Sequence, residues 1–78
     1  MWFTDGNIVL EAEETQFRVH RGVLLAMHSS VFKDMFEIPQ PSDEPTVEGC
    51  PVVQLCDTAA DVECLLTSVY NNWYVLVP

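Results

Sequence analysis

The 78 residues carry twelve acidic side chains against three basic ones, a formal charge of −9, at 49% hydrophobic content. That length gives one small domain, 1–78, whose core is marginal in area, since a chain near this size buries only about 60% of its unfolded surface. The charge argues against nucleic acid or an anionic membrane as partner, because only Arg18, Arg21 and Lys33 could displace counterions.

No apolar run approaches the roughly 20 residues that span a bilayer. Residues 1–5 lack the basic and apolar regions of a secretory signal. An intracellular chain is therefore expected, cytoplasm and nucleus being indistinguishable, with Cys50, Cys56 and Cys64 as reduced thiols. The acidity fits either a solvated, self-repelling surface or a surface that meets a basic partner protein.

Asp5-Gly6 is a turn dipeptide. After it, Ile8, Leu10 and Ala12 alternate with Val9, Glu11 and Glu13, which predicts a strand with one buried face. Glu14-Thr15 makes a short connection, and Phe17 and Val19 alternating with Arg18 and His20 predict the second strand of a β-hairpin. Glutamates are weak tight-turn formers, so the loop conformation is left open.

Residues 22–28 read as a helix with Val23, Leu24 and Met27 inward and Leu25 as a further inward position. Ser29 or Ser30 offers an N-cap hydroxyl for a second short helix, in which Val31, Phe32, Met35 and Phe36 fall at helical spacing. Pro39, Pro41 and Pro45, with Ser42, Asp43, Glu44 and Gly49, mark 38–51 as an exposed proline-rich loop, longer than most connections. It reads equally as a tether or as a binding loop.

Val52, Val53 and Leu55 form a short strand ending at Asp57. Thr58 and Asp61 have the spacing of a capping box, and Val62, Leu65, Leu66, Val69 and Tyr70 follow on one face of an amphipathic helix. Burying such side chains contributes on the order of 1.5–3 kcal/mol each before entropy. Asn71-Asn72 is read as the end of this helix. Residues 73–78 form an apolar tail that packs as an extra strand or covers open surface.

No constellation for bond chemistry is visible, so the chain is not read as an enzyme. His20 and His28 are eight apart and the cysteines six and eight apart, without the close pairing that structural zinc requires. Cys64 beside the apolar helix face reads as a small buried thiol, and Cys50 and Cys56 flank the strand with partial exposure. His28 reads as a surface or capping residue. No glycine-rich phosphate loop follows a strand, and no cofactor is expected.

Taken in order, these elements resemble the BTB/POZ domain, an α/β (α+β) fold of hairpin, two helices, loop, strand and helix. The residues carrying the likeness are Phe17-Arg18-Val19-His20-Arg21, Val23-Leu24, Ser30-Val31-Phe32 and Asp34-Met35-Phe36. Downstream they are Val52-Val53-Gln54-Leu55 and the run from Ala60 to Leu66. The wording Ile38-Pro39-Gln40-Pro41, and that of 47–53, is similar to BTB proteins of mushroom-type (basidiomycete) fungi. The resemblance covers about residues 5–72.

It implies a protein–protein interaction module that forms homodimers or docks a partner. Some members are substrate adaptors for cullin-type ubiquitin ligases, so a cullin is a further implied partner. His20, as it looks in the family, closes the second strand and packs against the following helix. Three departures qualify the likeness. The family places an aspartate ten residues before the phenylalanine of its F-x-V-H motif, where this chain has Asn7, with Asp5 two residues earlier. In dimeric relatives that aspartate and the arginine matching Arg21 form a charged interface pocket. Leu24-Leu25 carries one extra residue, which rotates a helix by about 100° unless a bulge absorbs it. The last two family helices are missing, so the expectation is a C-terminally truncated domain, or a fragment without activity. A hydrophobic-x-Glu adaptor signature is absent from the long loop. The expected interface residues are Arg21, from the resemblance, and Leu25, Met27 and Met35, whose alternative role is core packing.

Overall fold

The computed structural model describes residues 1–37 and 46–76, with side chains through Trp73. Its elements are β1 (Ile8–Ala12), β2 (Thr15–Val19), α1 (Arg21–Met27), α2 (Ser29–Phe36), β3 (Thr46–Val47), β4 (Cys50–Leu55) and α3 (Ala59–Leu76). The strands form one mixed sheet in the order β2-β1-β4-β3. β1 pairs antiparallel with β2, Ile8 opposite Val19, and parallel with β4, Val9 opposite Val52. A parallel pair needs a long crossover, and α1 and α2 lie within it.

Alternation along β1 splits its side chains between the two faces of the sheet. Ile8, Leu10 and Ala12 join Phe17, Val19, Val53 and Leu55 in the main core, against Leu24 and Phe32 from the short helices and Val62, Leu66, Val69 and Tyr70 from α3. Val9 turns to the other face, where it is buried with Cys50 and Val52. Arg18, directly opposite Val9 in the register, lies over that smaller cluster. Its Nε donates to the Gly6 carbonyl at 3.1 Å, and its Nη1 pairs with Glu48 in the β3–β4 turn. The long Arg18 stem thus caps an apolar face while its charged head reaches a carboxylate.

The N-terminal residues are strapped along the outer edge of β2. Phe3 N–H donates to the Arg18 carbonyl at 3.0 Å, and Arg18 N–H to the Met1 carbonyl at 3.2 Å. The strap turns at Gly6, where an added Cβ would lie 2.8 Å from the Val19 carbonyl oxygen and 2.9 Å from Arg18 Cγ. Only glycine fits that approach.

Both turns of the sheet use positive φ. Glu13 takes φ 57° in the two-residue β1–β2 connection, and Glu48 and Gly49 take 52° and 80° between β3 and β4. Positive φ at both residues of the β3–β4 turn matches the hairpin geometry that follows strand twist. Each strained glutamate has a compensating contact: Glu48 meets Arg18, and Glu13 Oε1 accepts the Ala59 N–H at 2.8 Å, capping α3.

Several sequence expectations need correction. Of the expected loop 38–51, residues 38–45 lie outside the described residues, whereas 46–51 form β3, its turn and the start of β4. Cys50 is buried rather than partly exposed. Pro51 is compatible with a strand because it precedes the first β1–β4 pair, Val9 with Val52, so its missing N–H removes nothing from that ladder. α3 does not stop at Asn71-Asn72 but continues through Leu76, so residues 73–76 of the expected tail are helical backbone. Asparagine is a mediocre helix former, not a breaker. Cys64 is exposed, because the buried stripe of α3 runs through Val62, Leu66, Val69 and Tyr70 and leaves position 64 on the opposite side. Neither Ser29 nor Ser30 caps α2; His28 occupies the N-cap position without a side-chain bond. Thr58 Oγ1 does accept the Asp61 N–H, at 3.2 Å.

Candidate functional site

Two helices of seven and eight residues are short for isolated stability, so what holds α1 and α2 is packing and borrowed caps. Each buries one side chain fully, Leu24 in α1 and Phe32 in α2. The free N–H at the start of α1 is taken from outside the helix: Arg21 N–H donates to Asn7 Oδ1 at 2.8 Å. His20 precedes it in an extended conformation without a side-chain cap.

His20 is the joint between this helix layer and the rest. Its backbone N–H donates to the Tyr70 hydroxyl at 2.9 Å, and its Nδ1 lies 2.9 Å from the same oxygen. Its Nε2 lies 2.9 Å from Asp5 Oδ1. With Nε2 carrying the proton, Nε2–H donates to Asp5 and Nδ1 accepts the Tyr70 O–H, so one neutral tautomer satisfies every partner. Phe3 closes the cluster, its ring 5.1 Å from His20 and 4.6 Å from Tyr70. The hydrogen bond from His20, with a second from Asp5's own backbone, holds the Asp5 carboxyl below its ordinary value.

This geometry places the two positions flagged in sequence, the amide of Asn7 and the carboxylate of Asp5. Asn7 meets Arg21, through its backbone, and Asp5 meets His20 instead. The Arg21 guanidinium lies 5.5 Å from the centroid of the Phe36 ring, a cation–π distance that joins the start of α1 to the end of α2.

The four expected interface residues fall on the α1–α2 layer. Arg21 is exposed. Leu25, Met27 and Met35 are half-buried and pack on the main core with their inner surfaces. Val23 and Met27, expected to face inward, are only half-buried: α1 packs against α2 and α3, and Leu24 alone is fully covered there. Val31 and Phe36 were not singled out for the surface, yet Val31 is 42% exposed and Phe36 half-buried. Their signal was present: a short helix cannot bury all of Val31, Phe32, Met35 and Phe36 against one neighbour.

No group of three or more His, Cys, Asp or Glu side chains that could hold a metal ion occurs among the described residues. Nor is any helix among them long and apolar enough to cross a membrane.

Comparison with known proteins gives one match. The family model of the BTB/POZ domain aligns with residues 3–74, which includes every described element up to the last turn of α3. Neither the curated proteins nor the solved structures contribute a match. A sheet with three helices, an α+β arrangement, is what that family model leads one to expect, and a domain of this kind is a protein–protein interaction module. Matched over nearly its whole length, the chain belongs to the BTB/POZ domain family.

Proposed function

We propose that the chain works by self-association, two copies meeting through the α1–α2 layer. The supporting observation is the apolar surface left on those helices: Val31 exposed, with Met35 and Phe36 of α2 and Leu25 and Met27 of α1 half-buried. Side chains that already pack on the core with one side present a preorganised outer surface, so little rotamer freedom remains to be lost on association. Arg21, exposed at the rim and held over Phe36, supplies polarity that selects among partners.

Size-exclusion chromatography with light scattering tests this reading, with circular dichroism on the same peak. A helical species of about 18 kDa, twice the 8.8 kDa chain, is expected. Val31→Glu, at the exposed position, should return it to the monomer with its dichroism unchanged. A helical monomer from the unsubstituted chain at high concentration overturns self-association. Capture of a cullin by that monomer would put a ubiquitin-ligase adaptor role in its place. An unfolded or aggregated chain would mean a polypeptide without activity of its own.

A further inference from the structure

We propose that the cleft between the last turn of α2 and the first turn of α3 receives the lysine or arginine side chain of a basic partner protein. The cleft, about 190 Å³, is lined by Met35, Asp57, Asp61, Val62 and Leu65. Its walls are apolar: Val62 is buried, while Met35 and Leu65 are half-buried and available. The two aspartates stand on its rim, both exposed. An aliphatic stem with a cationic head matches that order of surfaces, methylenes against Met35 and Leu65 and the charge between the carboxylates.

The chain itself does not neutralise this rim. Among the described residues, Arg18 pairs with Glu48, Arg21 lies over Phe36, and neither they nor Lys33 makes an ion pair with Asp57 or Asp61. Residues 38–45, which follow α2 in sequence, contain no lysine or arginine. The positive end of α3 is also partly occupied, Ala59 N–H by Glu13 and Asp61 N–H by Thr58. A formal charge of −9 steers cations toward the whole surface, and the apolar cleft is what gives one place an advantage. The basic-partner explanation of the acidity thereby acquires a location.

The test titrates the isotope-labelled full chain with a capped Lys-Ala repeat peptide, using a Gln-Ala repeat as the neutral control, and follows amide shifts and the dissociation constant. Shifts are expected at Asp61, Val62 and Leu65. Asp57→Asn with Asp61→Asn should weaken binding about tenfold, as loss of two partly screened ion pairs implies. Asp5→Asn with Glu48→Gln makes the same change in net charge away from the cleft, beside His20 and Arg18, and should alter binding less than about twofold. Leu65→Lys places a cation of the chain's own in the cleft and should abolish binding, while shift dispersion reports that the fold is kept. Equal losses in the two double variants, shifts spread over the surface, binding that survives Leu65→Lys, or no binding at all overturns the proposal. Light scattering on the same variants separates it from self-association: Met35 belongs to both surfaces, but Asp57, Asp61 and Leu65 lie outside α1 and α2.

Discussion

Tyr70→Phe removes a single oxygen atom at the joint between α3 and the short helices. The ring stays: at 5% exposure it is held by the core and by Phe3 at 4.6 Å. What goes is the acceptor for the His20 backbone N–H and the hydroxyl beside His20 Nδ1, both at 2.9 Å. The half-buried Nδ1 can turn to water, but the N–H at the start of α1 loses its protein acceptor. An orphaned donor of this kind costs about 1–3 kcal/mol. For a domain of this size each kcal/mol moves Tm by roughly 4–8 °C, so a drop of about 5–20 °C is expected in thermal unfolding followed by circular dichroism. A cycle with His20→Ala isolates the side-chain half of the interaction, because alanine keeps the backbone donor. Coupling of about 0.5 kcal/mol or more is expected between residues in direct contact. A loss below about 0.5 kcal/mol for Tyr70→Phe, or additive single variants, would refute the role given to this joint.

Other substitutions probe the remaining long-range contacts. Gly6→Ala drives a methyl toward the Val19 and Phe3 carbonyl oxygens, which cannot move without breaking the strap, and should cost about 1–3 kcal/mol in urea unfolding. Glu13→Ala removes the cap on Ala59 N–H and should cost about 0.5–2 kcal/mol. Glu13→Gly loses the same cap but eases the φ of 57°, so it should be less destabilising than alanine; the reverse order would discount the backbone strain. Asp5→Ala tests the pH dependence. A carboxyl held below its ordinary value stabilises the fold fully above the unfolded value and loses that contribution as pH falls through the lower folded value. The stability gap between the unsubstituted chain and Asp5→Ala should therefore close as pH falls below the aspartate range. A gap that persists in strong acid would assign Asp5 a role other than its bond to His20.

Local pattern determined most of the elements of this protein, because burial follows periodicity when one face of an element meets the core. Ile8, Leu10 and Ala12 at period two, and Val62, Leu66, Val69 and Tyr70 at helical period, are buried as their spacing implies, whereas Val9 on the strand face expected outward is buried as well and Leu65 is only half-buried. The order of elements was distinctive enough to resemble the family that the chain matches over residues 3–74. What local pattern could not supply were contacts between residues far apart in sequence. Gly49, Cys50 and Pro51 look like loop until Glu48 and Gly49 close a hairpin and Cys50 packs under Val9. Asn7 and Glu13 look like ordinary polar residues flanking a strand until each caps a helix, α1 and α3 in turn. The same limit governs the proposed sites. Leu25, Met27 and Met35 were legible as apolar helix positions, but whether such a residue is core or surface depends on how many neighbours reach it. Tertiary packing alone decided that both sheet faces would bury apolar residues, one under the helices and one in the Val9 cluster beside Arg18, and that one row per short helix would be covered, leaving the outer sides of those helices, and the cleft beside Asp57 and Asp61, facing outward.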